Sequence, residues 1–438
     1  MNLDDIRGKL FDNVLMDCIR DKFYHINVDP LTQKERLFFD NAGGALRLKG
    51  ANDAFKKIDE LPDCPEHSNS SALSLHELQL NAYADIKTIF NAKSGSIVTS
   101  LTASMVMFEI ARAIIENVPG TNVVTTALEH PSAYDSAIIY AKKMGKEIRV
   151  AETNPITGGV DVESIVKLID KNTCVLSVIY ASNISGAILD IEEIIKAARA
   201  IKPDIYIICD AVQHAPHGVI DLEKTPVDAI NIAPYKMGCP RGIGFGFVSE
   251  RVAELPHDKL VSKDRSIWEL GSPASGHFAA INSYVDYVCW IGSQSLDNDD
   301  RRALFVEGMN RMKMHERALM YKMLNGTLNC KGLRDIQGVT VYLDDEDLTK
   351  RDFIMAIGFN GINHKEAVNL LEKEGVITYE RVISSPYSSR MLESLKFDGC
   401  VRVSPFHCHN VEDIEKFLKI VLNISQQISK ESIKKSIV

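Results

Sequence analysis

The chain has 438 residues, 45% of them hydrophobic and 25% charged, with a formal net charge of −9; this is the balance of an ordinary globular protein with room for two or three domains. Scattered rather than striped basic residues, and no uninterrupted apolar run near ~18 residues, lead us to expect neither a nucleic-acid partner nor a membrane span. Charges throughout Met1 to Pro30 leave no signal-peptide core, and nine cysteines without a C-x-x-C or a paired framework suit a reducing cytoplasm.

Taken in order, residues 1–36 are charged and mixed. Ile6, Leu10, Val14 and Ile19 recur at helical spacing, which predicts a helical arm packed on the smaller domain. Arg36 to Asp40 gives a short apolar strand, and Asn41-Ala-Gly-Gly a small-residue turn. Leu75, Leu78, Ala82, Ile86 and Ile89 predict a helix over 75–91. Ile97-Val-Thr is a strand that turns at Ser100–Thr102 into an apolar helix, so Thr102 stands where a hydroxyl cap is expected. Such a helix start offers free N–H groups to an anion. Further strands are predicted at 122–126 and 173–180, the first followed by a loop carrying His130, the second by a loop carrying Asn183. Helices are expected over 162–169 and 190–201. From residue 97 to 247 strand and helix alternate, which indicates a mostly parallel sheet covered on both faces, an α/β architecture. We therefore expect a large domain over 37–297. Charged helical sequence up to Leu324, followed by short strands, predicts a smaller α+β C-terminal domain over 298–438.

The stretch from Ile205 to Phe247 carries the chemistry. The apolar run IYIIC ends on Asp210, with Gln213 three residues on. A second run, AINIA, ends near Lys236 and a glycine-rich turn from Gly238 to Gly244. The carboxyl ends of buried parallel strands line the ligand crevice of an open α/β sheet, so an acid and an amine are expected to face one pocket. A lysine can form a Schiff base with an aldehyde cofactor, and pyridoxal phosphate needs a carboxylate against its pyridine nitrogen. Cys400, His407, Cys408 and His409 also stand close together, but their spacing matches no zinc pattern and no metal is expected.

The motifs D-A-x-Q-x-x-x-H (Asp210, Ala211, Gln213, His217) and K-x-x-x-P-x-G-x-G (Lys236, Pro240, Gly242, Gly244) resemble those of the class V aminotransferase group of fold-type I pyridoxal phosphate enzymes. That group includes cysteine desulfurases, selenocysteine lyases, kynureninase and isopenicillin N epimerase. The resemblance runs from about Phe39 to Phe417 and implies roles residue by residue. Lys236 would carry pyridoxal 5'-phosphate and Asp210 would hold its ring nitrogen. His130 would stack on the ring, and Asn183 would meet the ring oxygen and the substrate carboxylate. Gln213 and Tyr235 would complete the cofactor pocket. Thr102 and the N–H of Ala103 would cradle the phosphate. Asn41 would lie at the mouth, beside the substrate, and Arg402 would bind the substrate α-carboxylate through its planar fork. Ser272, in Glu269-Leu-Gly-Ser-Pro, matches a residue that reaches the other subunit's cofactor, which implies a homodimer with shared active sites.

The pattern is broken in places. Leu101 replaces the phosphate-loop glycine and Tyr235 replaces the histidine before the lysine. Residues 375–399, which precede the arginine, contain no cysteine, whereas desulfurases carry their thiolate nucleophile there. Cys400 is only two residues before Arg402, where a strand is expected. The resemblance therefore implies an enzyme acting on a small amino acid, desulfurase-like or a carbon–sulfur (or selenium) lyase working by β-elimination. An aminotransferase or epimerase on the same scaffold is the alternative, and a non-catalytic cofactor-binding relative the reading from another class.

Overall fold

A computed structural model describes residues 3–437; Met1, Asn2 and Val438, the ends of the expected arm and small domain, lie outside the described residues. The first strand, β1 (Leu37–Phe38), is short. Then come β2 (Ser96–Ser100), β3 (Asn122–Thr126), β4 (Glu147–Ala151), β5 (Thr173–Ile179), β6 (Tyr206–Asp210), β7 (Ala229–Ile232), β8 (Gly244–Val248) and β9 (Trp268–Glu269). The C-terminal part adds β10 (Val339–Tyr342), β11 (Met355–Phe359), β12 (Val376–Ile377), β13 (Tyr379–Val382) and β14 (Gly399–Val403).

Strands β2 to β9 form one eight-stranded sheet in the order β4-β3-β5-β6-β7-β8-β2-β9. Its pairs are parallel except for those that β8 makes with β7 and β2. The strands from β5 to β8 are buried along their length, apart from Tyr206, as both-face coverage requires. Helices Ala103–Asn117 and Pro131–Lys143 pack through Val106, Ile110, Ile114 and Ala137 on a cluster at one face. Helices Ser70–Phe90, Ile191–Ile201 and Gly276–Ser293 belong to the cluster on the other. The fold class is thus α/β with a mostly parallel central sheet.

The second sheet, antiparallel throughout, has the order β10-β11-β14-β13. Its own core joins Phe353, Ile357, Val401 and Val403 to Phe417 and Val421 of helix Val411–Ile437. A third sheet has only two strands. β1 pairs parallel with β12, and Asp40 bridges Ser404 just beyond β14.

The expected N-terminal helical arm contains two helices, Leu3–Arg7 and Asn13–Asp21. Gly8 breaks them at φ +68°, and a Cβ there would lie 2.4 Å from the Met314 carbonyl oxygen. Val14 consequently points outward, 76% exposed, while Leu15, Met16 and Ile19 face the core. The helix predicted over 75–91 begins earlier, at Ser70, because Asn69 caps it by accepting from the Ala72 N–H. The helix predicted over 162–169 ends at Val166.

A buried ion pair ties the long helix Arg301–Asn325 to the loop after β6. His217 Nδ1 lies 2.8 Å from Glu316 Oε2, both side chains only 4% exposed. The Glu316→Ala variant leaves the imidazole facing an uncompensated hole. Its urea unfolding midpoint should fall by an amount equivalent to about 3–5 kcal/mol, the usual cost of removing one partner of a buried pair.

Candidate active site

The carboxyl ends of the parallel strands converge, and each delivers one of the expected residues. Asp210 is the last residue of β6, Lys236 closes a 3-10 turn (Pro234–Lys236) after β7, Asn183 follows β5, and His130 follows β3. A cavity of about 290 Å³ opens there, lined by His130, Asn183, Tyr235 and Lys236 from the large-sheet side. Asp40, Ala42 and Gly43 form the wall from the turn after β1, and Tyr379, Arg381, Tyr387 and Arg402 come from the small sheet.

Lys236 is 7% exposed, and its amine donates to Gln213 Oε1 at 2.9 Å. Burial and then the Arg402 guanidinium depress its pKa to about 7, against the pull of Asp210. The amine is therefore substantially uncharged near neutral pH, as a nucleophile or general base requires. Asp210 is 3% exposed and accepts from the Val212 N–H at 3.0 Å; burial pushes its carboxyl upward, while that N–H and Lys236 pull it back. Below lies Glu129, fully buried, accepting from the Thr126 hydroxyl and the Ile179 N–H. Burial raises it to about 8, so it adds no second full charge beside Asp210 at neutral pH.

His130 caps helix Pro131–Lys143, its Nδ1 accepting from the Ser132 N–H at 3.2 Å. Burial and then Lys236 lower its pKa to about 3. The ring is therefore neutral near neutral pH. Asn183 Oδ1 is buried without a hydrogen-bond partner, and its carbonyl accepts from Arg402 Nη1 at 3.2 Å. Arg402 Nη2 donates to Asp40 Oδ1 at 2.6 Å, a carboxylate partner of the type expected from a substrate.

Asn41, Thr102 and Ser272 each make a side-chain hydrogen bond within the chain. Asn41 is spent on the fold: its amide donates to the Phe38 and Ser404 carbonyls and accepts from the Leu46 N–H. Asp40, Ala42 and Gly43 face the cavity at that point instead. Thr102 caps helix Ala103–Asn117 by accepting from the Met105 N–H, which leaves the N–H groups of Ala103 and Ser104 as the free donors of its first turn. Gly244 lets β8 approach that turn, since a Cβ there would lie 2.2 Å from the Ala103 nitrogen. Ser272 lies outside the cavity, its hydroxyl donating to Glu66 Oε1 at 2.7 Å.

Asp40, Glu129, Tyr379, Arg381 and Tyr387 were not anticipated. Arg381 had a readable signal: Tyr379-x-Arg381 alternates on a strand whose partner carries Arg402. Residues 375–399 draw attention as a place to look for a thiol, which hides the guanidinium. Cys400 is fully buried on β14, and burial pushes its thiol up to about 12. His407 and His409 are spent on the Tyr287 hydroxyl and the Phe406 backbone.

The profile of the family described as Aminotransferase class-V matches residues 37–262. The chain belongs to the class V aminotransferase family. That family is built on pyridoxal phosphate, and the chain is an enzyme of this kind. It is 24% identical over 326 residues to a probable cysteine desulfurase of Borreliella burgdorferi, covering 70% of this chain and 71% of that one. It is 23% identical to a probable cysteine desulfurase of Ureaplasma parvum, over 89% and 93% of the two chains. The fold matches a solved cysteine desulfurase from Thermococcus onnurineus with a TM-score of 0.77 and 19% identity, over 94% of this chain and 98% of that one.

The depressed Lys236 pKa gives a signed expectation. Labelling of Lys236 by a small amine-reactive aldehyde, followed by mass spectrometry, should rise with pH around a midpoint near 7 rather than near the ordinary lysine value. In Arg402→Gln, which removes a charge that lowers this pKa, the midpoint should move upward.

Proposed function

We propose that this enzyme binds pyridoxal 5'-phosphate on Lys236 and eliminates the β-substituent of a small amino acid. The observation that carries the reading is the buried, near-neutral Lys236 amine held by Gln213 between Asp210 and Arg402. The donors present suit the cofactor. The free N–H groups at Ala103 and Ser104 suit a phosphate. The Asn183 side-chain amide faces the cavity and its N–H group suits the ring oxygen, and the buried Asp210 suits a protonated ring nitrogen. The neutral His130 ring, fixed by Ser132, suits a stacking face.

When bound, the cofactor supplies an electron sink for the pair left at Cα. The chain's own groups do the rest. Arg402 exchanges Asp40 for the substrate α-carboxylate and so fixes the direction of the Cα–H bond. Lys236 Nζ, uncharged near neutral pH, takes the α-proton as general base. Loss of the β-substituent with its bonding pair then gives 2-aminoacrylate, which water converts to pyruvate and ammonia. A thiol acceptor is not needed, in keeping with the absence of cysteine from residues 375–399 and the burial of Cys400. The aminotransferase and epimerase readings share the same α-proton removal.

We also propose a homodimer. β2 and β9 run parallel with Thr99 opposite Glu269, so the turns after them leave the sheet at one end. Those turns and the helix that follows expose Leu101 (67%), Leu270 (61%) and Met105 (44%), an apolar surface that a second copy would cover. Ser272 belongs to the same turn. A cytoplasmic setting goes with this reading, and no helix among the described residues is long and apolar enough to cross a membrane.

Two measurements test the proposal. Borohydride treatment of the loaded protein should fix the cofactor on the Lys236 peptide, and a β-substituted amino acid such as cysteine should give pyruvate and ammonia. Alanine as product, with a persulfide trapped on Cys400 and activity lost in Cys400→Ser, would instead mean sulfur transfer. For the dimer, an inactive Lys236→Ala chain mixed with an inactive Gly271/Ser272 double variant should regain activity in the heterodimer. No recovery after verified subunit exchange counts against shared sites.

A further inference from the structure

A buried charge is costly unless a partner compensates it, so a cavity-facing guanidinium with spare donors asks what it is for. Arg381 is 5% exposed and lines the cavity. Its one hydrogen bond among the described residues goes from Nη2 to the Tyr387 carbonyl at 3.0 Å, and its Nε is buried without a partner. Arg402, by contrast, already holds Asp40. Burial and then the neighbouring Arg402 depress the Arg381 pKa to about 10, a sign of an unfavourable environment for the cation.

The backbone puts the two arginines to work on one ligand. In the β13–β14 ladder Tyr379 stands opposite Arg402, and Arg381 opposite Cys400. Arg381 and Arg402 are therefore diagonal neighbours on one face, with backbones about 7–8 Å apart. From there both side chains reach the same cavity of about 290 Å³. Asp40 is the one carboxylate among the lining residues, against the guanidiniums of Arg381 and Arg402. Arg402 has Asp40, or a substrate α-carboxylate in its place, whereas Arg381 has no anionic partner among the described residues.

We infer that Arg381 is a specificity-determining residue that binds a negatively charged β-substituent, so that the preferred substrate is a short amino acid with an anionic side chain. The α-carboxylate goes to Arg402 and the side-chain anion to Nη1 of Arg381, which makes no hydrogen bond among the described residues. The inference rests on the proposed pyridoxal reading for the placement of the α-carboxylate. It goes beyond it by naming the substrate class.

Aspartate and asparagine form the test pair. They have the same size and differ in side-chain charge, and neither carries a good β-leaving group, so binding is read apart from elimination. Calorimetric titration of the wild-type protein should favour aspartate by at least about tenfold, the scale of a charge-assisted hydrogen bond. In Arg381→Gln the ratio should collapse to near one, while Arg381→Lys, which keeps the charge but not the fork, should retain part of it. A wild-type ratio near one overturns the inference. So does an equal loss for both ligands in Arg381→Gln, which would make Arg381 an α-carboxylate anchor. If Arg381→Gln does not fold, the wild-type ratio and Arg381→Lys decide. Cofactor uptake is scored separately by the borohydride adduct on Lys236. A protein without cofactor that still prefers aspartate sinks the pyridoxal reading and keeps Arg381, and a loaded protein without the preference does the reverse.

Discussion

Lys236 is buried in a small polar chamber whose charges must nearly cancel, and the surrounding structure follows from that constraint. An ammonium in such a place is expensive to desolvate. The protein meets the cost in two ways. Asp210 and Asp40 favour the charged amine, while burial and the guanidiniums of Arg402 and Arg381 favour the neutral one. The second set prevails, and the amine is left near the point where it can act as nucleophile and base. Glu129 belongs to the same balance. Burial keeps that carboxyl largely protonated, so Asp210 has no second anion beside it.

The chamber exists only where the two sheets meet. The large sheet supplies Lys236, Asp210, Asn183 and His130 from strand ends, at the place where an open α/β sheet offers a crevice. The small sheet supplies Arg402 and Arg381 from the middle of an antiparallel ladder. The segment from β1 to Leu48 joins these halves: β1 pairs with β12 and Asp40 with Ser404 on one side, and the Ala45 and Leu48 N–H groups donate to the Tyr235 and Gly238 carbonyls on the other. Asn41 serves the seam at Ser404. Its amide joins the turn after β1 to the end of β14, which makes it a positioning group for the wall that Asp40 presents. The His217–Glu316 pair is a further tie, between the loop after Asp210 and the long helix Arg301–Asn325.

Cys400 illustrates how position decides chemistry. It lies two residues from Arg402 and on the same face of β14, yet it is fully buried and its thiol is pushed far toward the protonated form. A thiolate nucleophile needs access and a lowered pKa, and this site offers neither. What stands close to Arg402 in the cavity is a second guanidinium.

The sequence by itself determined the large sheet and the residues at its strand ends. Alternating strand and helix signals are local, and each parallel strand delivers its last residues to the same edge, so Asp210 and Lys236 could be placed together from spacing and the two motifs, while Asn183 and His130 followed from the family resemblance. Arg402 was legible only through the resemblance to the class V aminotransferase group. Tertiary structure alone decided the rest. The break at Gly8 comes from its contact with Met314, some three hundred residues away, which no helical periodicity can register. The choice of Asp40 over Asn41 depends on which neighbour is consumed by the Ser404 seam. Arg381 enters the cavity because β13 pairs with β14 in one register, and a shift of one residue would turn it to the opposite face. That register is set by packing between distant segments, so the second guanidinium of the site could be seen only in the folded chain.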